Sequence, residues 1–174
     1  AEPETWRKTR ANFAPRTSTE NGVGVLEING VLAYRPNLGE LIFDGFEDSS
    51  EVLAAFERLE ADPEAKAIVL NVNSPGGFAV GGAEIADAVR GSSKPTVTWV
   101  GGMMCSLAYW IGSQSKAVIS ARSAMVGSIG AYVGHVDESR ALDRQGLSVT
   151  LVSAGKYKVE GASSAPLSGE AQAH

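Results

Sequence analysis

Apolar and polar residues change period several times along this 174-residue chain, and each change marks an element. The run GVGVLEINGVL (Gly22–Leu32) alternates with a period of two and carries the turn signal Asn29-Gly30. It predicts a strand, a turn and a second short strand. RPNLGELIFDGFEDSS (residues 35–50) has no clear period and reads as a loop. In the next stretch Val52, Leu53, Phe56 and Leu59 share one helical face, with Ser49 or Ser50 as cap and Pro63 as stop. Lys66–Asn73 (KAIVLNVN) is a near-continuous apolar run, as expected of a parallel strand covered on both faces. A helix from about Gly82 to Arg90, with Ile85 and Val89 inward, follows the SPGG turn.

The alternation continues. KPTVTWVGG (residues 94–102) reads as a buried strand and CSLAYWIGSQS (residues 105–115) as a helix with Ser106 at its start. KAVISA (residues 116–121) is a strand, and VGSIGAYVG (residues 126–134) a glycine-punctuated strand or turn. DESRALDRQG (residues 137–146) is a helix capped by Asp137 and ended by Gly146. LSVTLVSAG (residues 147–155) is a strand running into KYKVEG, and LSGEAQ (residues 167–172) opens like another helix. Repeated βαβ units of this kind form an α/β fold around a mostly parallel sheet. Function in such sheets gathers at the carboxyl ends of the strands. Residues 1–21 read as a flexible N-terminal arm, and residues 22–174 as the folded domain.

Composition narrows the choice of partner. A net charge of −5 and a pI near 5.1, with no basic stripe, argue against nucleic acid as a ligand. No stretch is apolar enough for a membrane span, and the polar start lacks the apolar centre of a signal peptide. The single cysteine, Cys105, permits no internal disulfide and fits a reducing compartment. No His/Cys/Asp cluster has metal-ligand spacing.

Three polar sites fall at predicted strand ends: NSPGG (Asn73–Gly77), Ser106, and the pair Lys156 and Lys158. A serine at a strand-to-helix junction sits beside free helix N–H groups, which favour a developing oxyanion. The same position suits an ordinary N-cap. Gly76-Gly77 lets backbone approach a ligand closely, and an ordinary glycine-rich turn has the same composition. A base is needed beside a nucleophile. His135, close to Asp137, is one candidate; His174 is the terminal residue and a poor one. Lysine is the other, since Lys156 and Lys158 lie two apart and so on one face of a strand. A lysine accepts a proton only when neutral, which requires desolvation or positive neighbours. Val152 and Val159 are the expected apolar surroundings.

NSPGG, GGMMCSLAYWIGSQ, VGSIGAYVG and SAGKYKVEG, in that order and spacing, resemble the signal peptide peptidase A family of Ser-Lys serine peptidases. The resemblance runs from about Val23 to Gly161 and is greatest to bacteriophage head-maturation (capsid assembly) proteases. It implies a Clp/crotonase-like fold and peptide hydrolysis without a cofactor. By motif position it implies Ser106 as nucleophile, Lys158 as general base and Ser128 as the residue orienting the lysine. The N–H groups of Gly77 and Leu107 match the oxyanion donors. Implied partners are a peptide or protein substrate such as capsid or scaffold protein, and further copies of the chain. Leu38, Leu41, Ile42, Phe43 and Phe46 offer an apolar face for such copies. The implied location is the host cytoplasm or the phage prohead.

Two departures stand out. Ser106-Leu107-Ala108 replaces the Ser-Gly-Gly of many members, and the family's C-terminal helices are expected to be missing. Two other readings fit the same fold: a crotonase-like acyl-CoA enzyme, and a non-catalytic capsid-assembly or scaffold module.

Overall fold

The computed structural model describes residues 12–173, which divide into a first compact unit ending at Ala131 and a second, residues 132–173. The first unit is built on one sheet. Strands β1 (Thr17–Glu20), β2 (Val23–Ala33), β4 (Ala67–Gly77), β5 (Thr96–Cys105) and β6 (Ala117–Ser120) lie side by side in that order. Two short strands complete it. β3 (Phe46–Asp48) pairs with the end of β2, and β7 (Met125–Gly127) with the end of β5. Only β1 runs antiparallel.

Helices connect the parallel strands. α1 (Leu38–Phe43) and α2 (Ser49–Ala61) lie between β2 and β4, α3 (Gly82–Arg90) between β4 and β5, and α4 (Leu107–Gly112) between β5 and β6. The core is where α2, α3 and α4 bury their apolar faces on the sheet. Val52, Phe56 and Leu59 of α2 and Ile85 and Val89 of α3 pack with Leu26, Ile28, Ile68, Leu70 and Val72. Burying each such side chain contributes roughly 1.5–3 kcal/mol, which is what holds the sheet's carboxyl ends in place.

Several elements depart from the pattern expected of the sequence. Asn29-Gly30 does not reverse the chain. β2 runs through it, and both halves pair with β4 in the same direction. The glycine's positive φ of 66° is used for a kink instead of a hairpin. The stretch 35–50 contains α1, closed by a capping box between Asn37 and Glu40, and β3. α2 is capped by Asp48, whose carboxylate accepts from Ser50 N–H at 2.9 Å. β4 is fully buried on alternate residues, and Ala67, Val69 and Asn71 on its other face are half-buried. Thr17–Glu20, within the stretch expected to be an arm, is the strand β1; residues 1–11 of that arm lie outside the described residues.

The second unit holds α5 (Ser139–Arg144) and α6 (Gly169–Gln172), neither with a buried residue. Asp137 accepts from Ser139 N–H at 2.9 Å, one residue ahead of the cap position held by Glu138. Residues 147–155 form no strand: among the described residues no strand pairs with them to supply the ladder that their alternating pattern requires, and Val152 is 95% exposed. No helix among the described residues is long and apolar enough to cross a membrane.

Candidate active site

Two irregularities bend the sheet at its carboxyl edge. Between Asn29↔Asn73 and Val31↔Gly76 the β2–β4 pairing gains one residue on β4. Between Val72↔Val100 and Ser74↔Met104 the β4–β5 pairing gains residues on β5, where Gly101 and Gly102 pass Asn73. The two bulges bring the NSPGG segment against the β5–α4 junction. A Cβ on Gly76 would stand 2.7 Å from Cys105 O, 2.8 Å from Leu107 N and 2.8 Å from Ser106 Cβ. Only glycine tolerates that approach, and its φ of 100° requires glycine as well.

Ser106 occupies the N-cap position of α4 but does not act as a cap. Its side chain makes no cap hydrogen bond, and its backbone is at φ 51°, ψ −121°, outside the extended region of an N-cap. A β-carbon residue there is strained by roughly 1–3 kcal/mol, which the surroundings must hold. They do so from two sides. Ser106 N–H donates to Gly127 O at 3.0 Å on β7, and Trp110 N–H donates to Ser106 O at 3.0 Å. A serine on a sharp, strained strand-to-helix turn lifts its hydroxyl free of backbone partners, as nucleophile elbows do. Leu107 is the first residue of α4, so its N–H has no partner within the helix.

Among the residues expected at the site, the first unit gathers Ser106, Leu107 and the Gly76-Gly77 segment. Ser128 directly follows the Gly127 whose carbonyl holds Ser106; it is exposed, at φ 53°. Cys105 is buried, its thiol donating to Met125 O at 3.8 Å.

Lys158, Lys156 and His135 belong to the second unit. Lys158 is exposed on a turn, its backbone N–H donating to Gly155 O at 3.4 Å. It does not stand on a strand, and Val152 and Val159 do not bury it there. Its ammonium has no side-chain partner among the described residues. Lys156, by contrast, is tied to Glu170 at 2.8 Å and to Tyr157 Oη at 3.0 Å. Those bonds, that to Glu170 foremost, raise its pKa and lower that of Glu170. His135 Nε2 lies 3.1 Å from Ala165 O. The pKa of Asp137 is lowered mainly by its bonds from Ser139 and, more weakly, by His135.

Reading the sequence marked Gly76 within NSPGG but gave no part to Ser74 or Glu47. Ser74 is fully buried; its hydroxyl donates to Gly30 O at 2.6 Å and accepts from Gly76 N–H at 3.1 Å. Glu47 is buried and accepts from Asn29 N–H. Burial, and secondarily the charge of Glu27, raises its pKa to about 7 against the lowering by the Asn29 bond. Ser74 lies within the NSPGG motif, but nothing in the sequence marked Glu47. Among the described residues no group of three or more His, Cys, Asp or Glu is placed to hold a metal ion.

Comparison with known proteins gives the family and the fold. Residues 88–174, half of the chain, match peptidase family S49. The chain belongs to that family. Residues 44–128 also match the Clp protease family, so the two matches together run from residue 44 to residue 174 and leave out β1 and β2. Among curated relatives, capsid assembly protease C of Escherichia phage lambda is 29% identical over 81% of the chain. Protease 4 of Salmonella typhi is 33% identical over 73%. The chain spans only 32% and 22% of those proteins' lengths. Among solved structures, a membrane-bound stomatin-specific protease superposes with a TM-score of 0.50 at 19% identity, covering 66% of this chain and 50% of that one. An enoyl-CoA hydratase/isomerase family member gives 0.50 at 18% identity, covering 77% and 53%. These two show the shared Clp/crotonase-like fold and nothing finer.

Proposed function

We propose that this S49 chain is a serine endopeptidase domain that cleaves peptide bonds through an acyl-enzyme on Ser106, with Lys158 as general base. The observation that carries the reading is the backbone of Ser106: a strained turn, an uncommitted hydroxyl, and a glycine strand packed directly beneath it. In this reading Lys158 must lose its exposure and become neutral when substrate is bound; it then takes the Ser106 proton as Oγ bonds the substrate carbonyl carbon. The resulting ammonium then protonates the leaving amine as the C–N bond breaks. Water, its proton passing to the lysine, releases the acid and restores the serine hydroxyl.

Leu107 N–H, unpartnered at the helix start, is one oxyanion donor. Gly77 is the other. The N–H groups of Gly76 and Phe78 are taken by Ser74 Oγ and Leu32 O on the β2 side. Alternation along a strand turns the intervening Gly77 N–H away from β2. Lys158 is preferred to Lys156 because only the latter is engaged by a carboxylate. Ser128 is the residue assigned to orient the lysine.

The phage relatives support capsid or scaffold protein as substrate, and the host cytoplasm or prohead as the place of action. Assembly of several copies is part of the reading: Leu41 of α1 is buried, but Ile42 and Phe43 project outward as a contact surface. Sedimentation at high concentration tests that part, and a monomer contradicts it. The catalytic part is tested by Ser106→Ala, which should abolish peptide cleavage with the far-UV spectrum and Tm nearly unchanged. Cleavage that survives the substitution sinks it.

A further inference from the structure

We infer that Ser74 is a positioning residue for acyl transfer, its hydroxyl setting how Gly76 and Gly77 sit beneath Ser106. The inference rests on Ser106 being the nucleophile. Where β4 carries an extra residue against β2, the ladder is interrupted and the strand bends locally. Ser74 Oγ bridges that gap, donating to the Gly30 carbonyl on β2 and accepting from the Gly76 N–H on β4. Both bonds are buried or nearly so, where a hydroxyl's geometry is held tightly and no water replaces it.

Gly76 has no slack on its other side. The atoms that a Cβ would meet there are Cys105 O, Leu107 N and Ser106 Cβ, all within 2.8 Å. A shift of a few tenths of an ångström in Gly76 therefore moves either the Ser106 turn or the adjoining Gly77 N–H. The donors of an oxyanion hole act only when held near 2.7–3.1 Å of the oxygen, so a small displacement lowers the rate without removing a group that touches substrate. The other end of the bridge is anchored too. Asn29 N–H is held by Glu47, and Gly30 leaves no room for a side chain, since a Cβ there would lie 2.6 Å from Gly45 O.

The experiment uses a fluorophosphonate, whose phosphoryl oxygen occupies the oxyanion position as it reacts with a serine. The inactivation rate constant kinact and the reversible binding constant KI are measured separately for the wild-type chain, Ser74→Ala and Ser74→Thr. Ser74→Ala should lower kinact about tenfold or more, with KI within about twofold and the protein still folded at the assay temperature. Ser74→Thr, which keeps the hydroxyl, should recover most of the loss. A purely structural role would lower Tm without this split between kinact and KI. If Ser74→Ala does not fold, Ser74→Cys carries the same test, because its thiol fills the space but hydrogen-bonds poorly. A folded Ala or Cys variant labelled as fast as wild type overturns the inference alone. A wild-type chain that is not labelled at Ser106 overturns it together with the reading on which it rests.

Discussion

Gly76 and Ser106 are packed so closely that a single methyl group on Gly76 would lie 2.8 Å from the Ser106 Cβ. Its other neighbours are backbone atoms, which cannot swing aside. Gly76→Ala should therefore destabilise the first unit by about 3 kcal/mol or more, from positive φ and overlap together, and abolish reaction at Ser106. Gly45 is the control. It also has a positive φ, 65°, but nothing within 4 Å of its added Cβ. Gly45→Ala should cost only ~1–2 kcal/mol and leave the reaction intact. Denaturant unfolding of the two variants gives the comparison; equal losses would contradict the packing argument.

Glu47 should make stability depend on pH on the alkaline side of the usual carboxylate range. Its pKa rises from about 4.5 to about 7 on folding, chiefly by burial. The folded protein thus binds this proton more tightly than the unfolded chain does. The associated stability is fully present below about pH 4.5 and is lost as pH rises through about 7. The size is roughly 3 kcal/mol, from 1.36 kcal/mol for each tenfold difference in proton affinity. Glu47→Gln keeps an acceptor for Asn29 N–H and should flatten the unfolding free energy between about pH 4.5 and about pH 7. An unchanged slope in the variant would remove Glu47 as its source.

The two lysines should separate cleanly. Lys158→Ala and Lys158→Arg should both lose peptide cleavage, the arginine because a guanidinium stays protonated. Lys156→Ala should be nearly silent in activity, since its ammonium is occupied by Glu170 and Tyr157 on an exposed surface. The pair contributes little to stability either. Loss of activity in Lys156→Ala with retention in Lys158→Ala would reverse the assignment, and dependence on His135 would revive a Ser-His reading.

Much of this was legible in residues 49–120. The period of α2, the face of α3 carrying Ile85 and Val89, and the apolar runs of β4 and β5 are set by burial on one sheet, which the pattern reports directly. Of the candidate site, Ser106 and the glycines of NSPGG, which the fold brings together, were legible as motifs. What the pattern could not show is how strands slip past one another. Asn29-Gly30 has the composition of a hairpin turn, and only pairing with β4 on both sides makes it a kink. Ser74 and Glu47 matter because of partners 44 and 18 residues away, and no local period encodes those. Residues 147–155 alternate like a strand but have no ladder to join, since β propensity describes a side chain's fit to neighbours that must be present.

The central claim is that Ser106 is a nucleophile and not a helix cap. Its most direct test is to incubate the chain with a fluorophosphonate, digest it, and locate the adduct by mass spectrometry. The account predicts one adduct, on the peptide carrying Ser106, absent from Ser106→Ala and from heat-denatured protein. No adduct, or one on another serine that persists in Ser106→Ala, would contradict it.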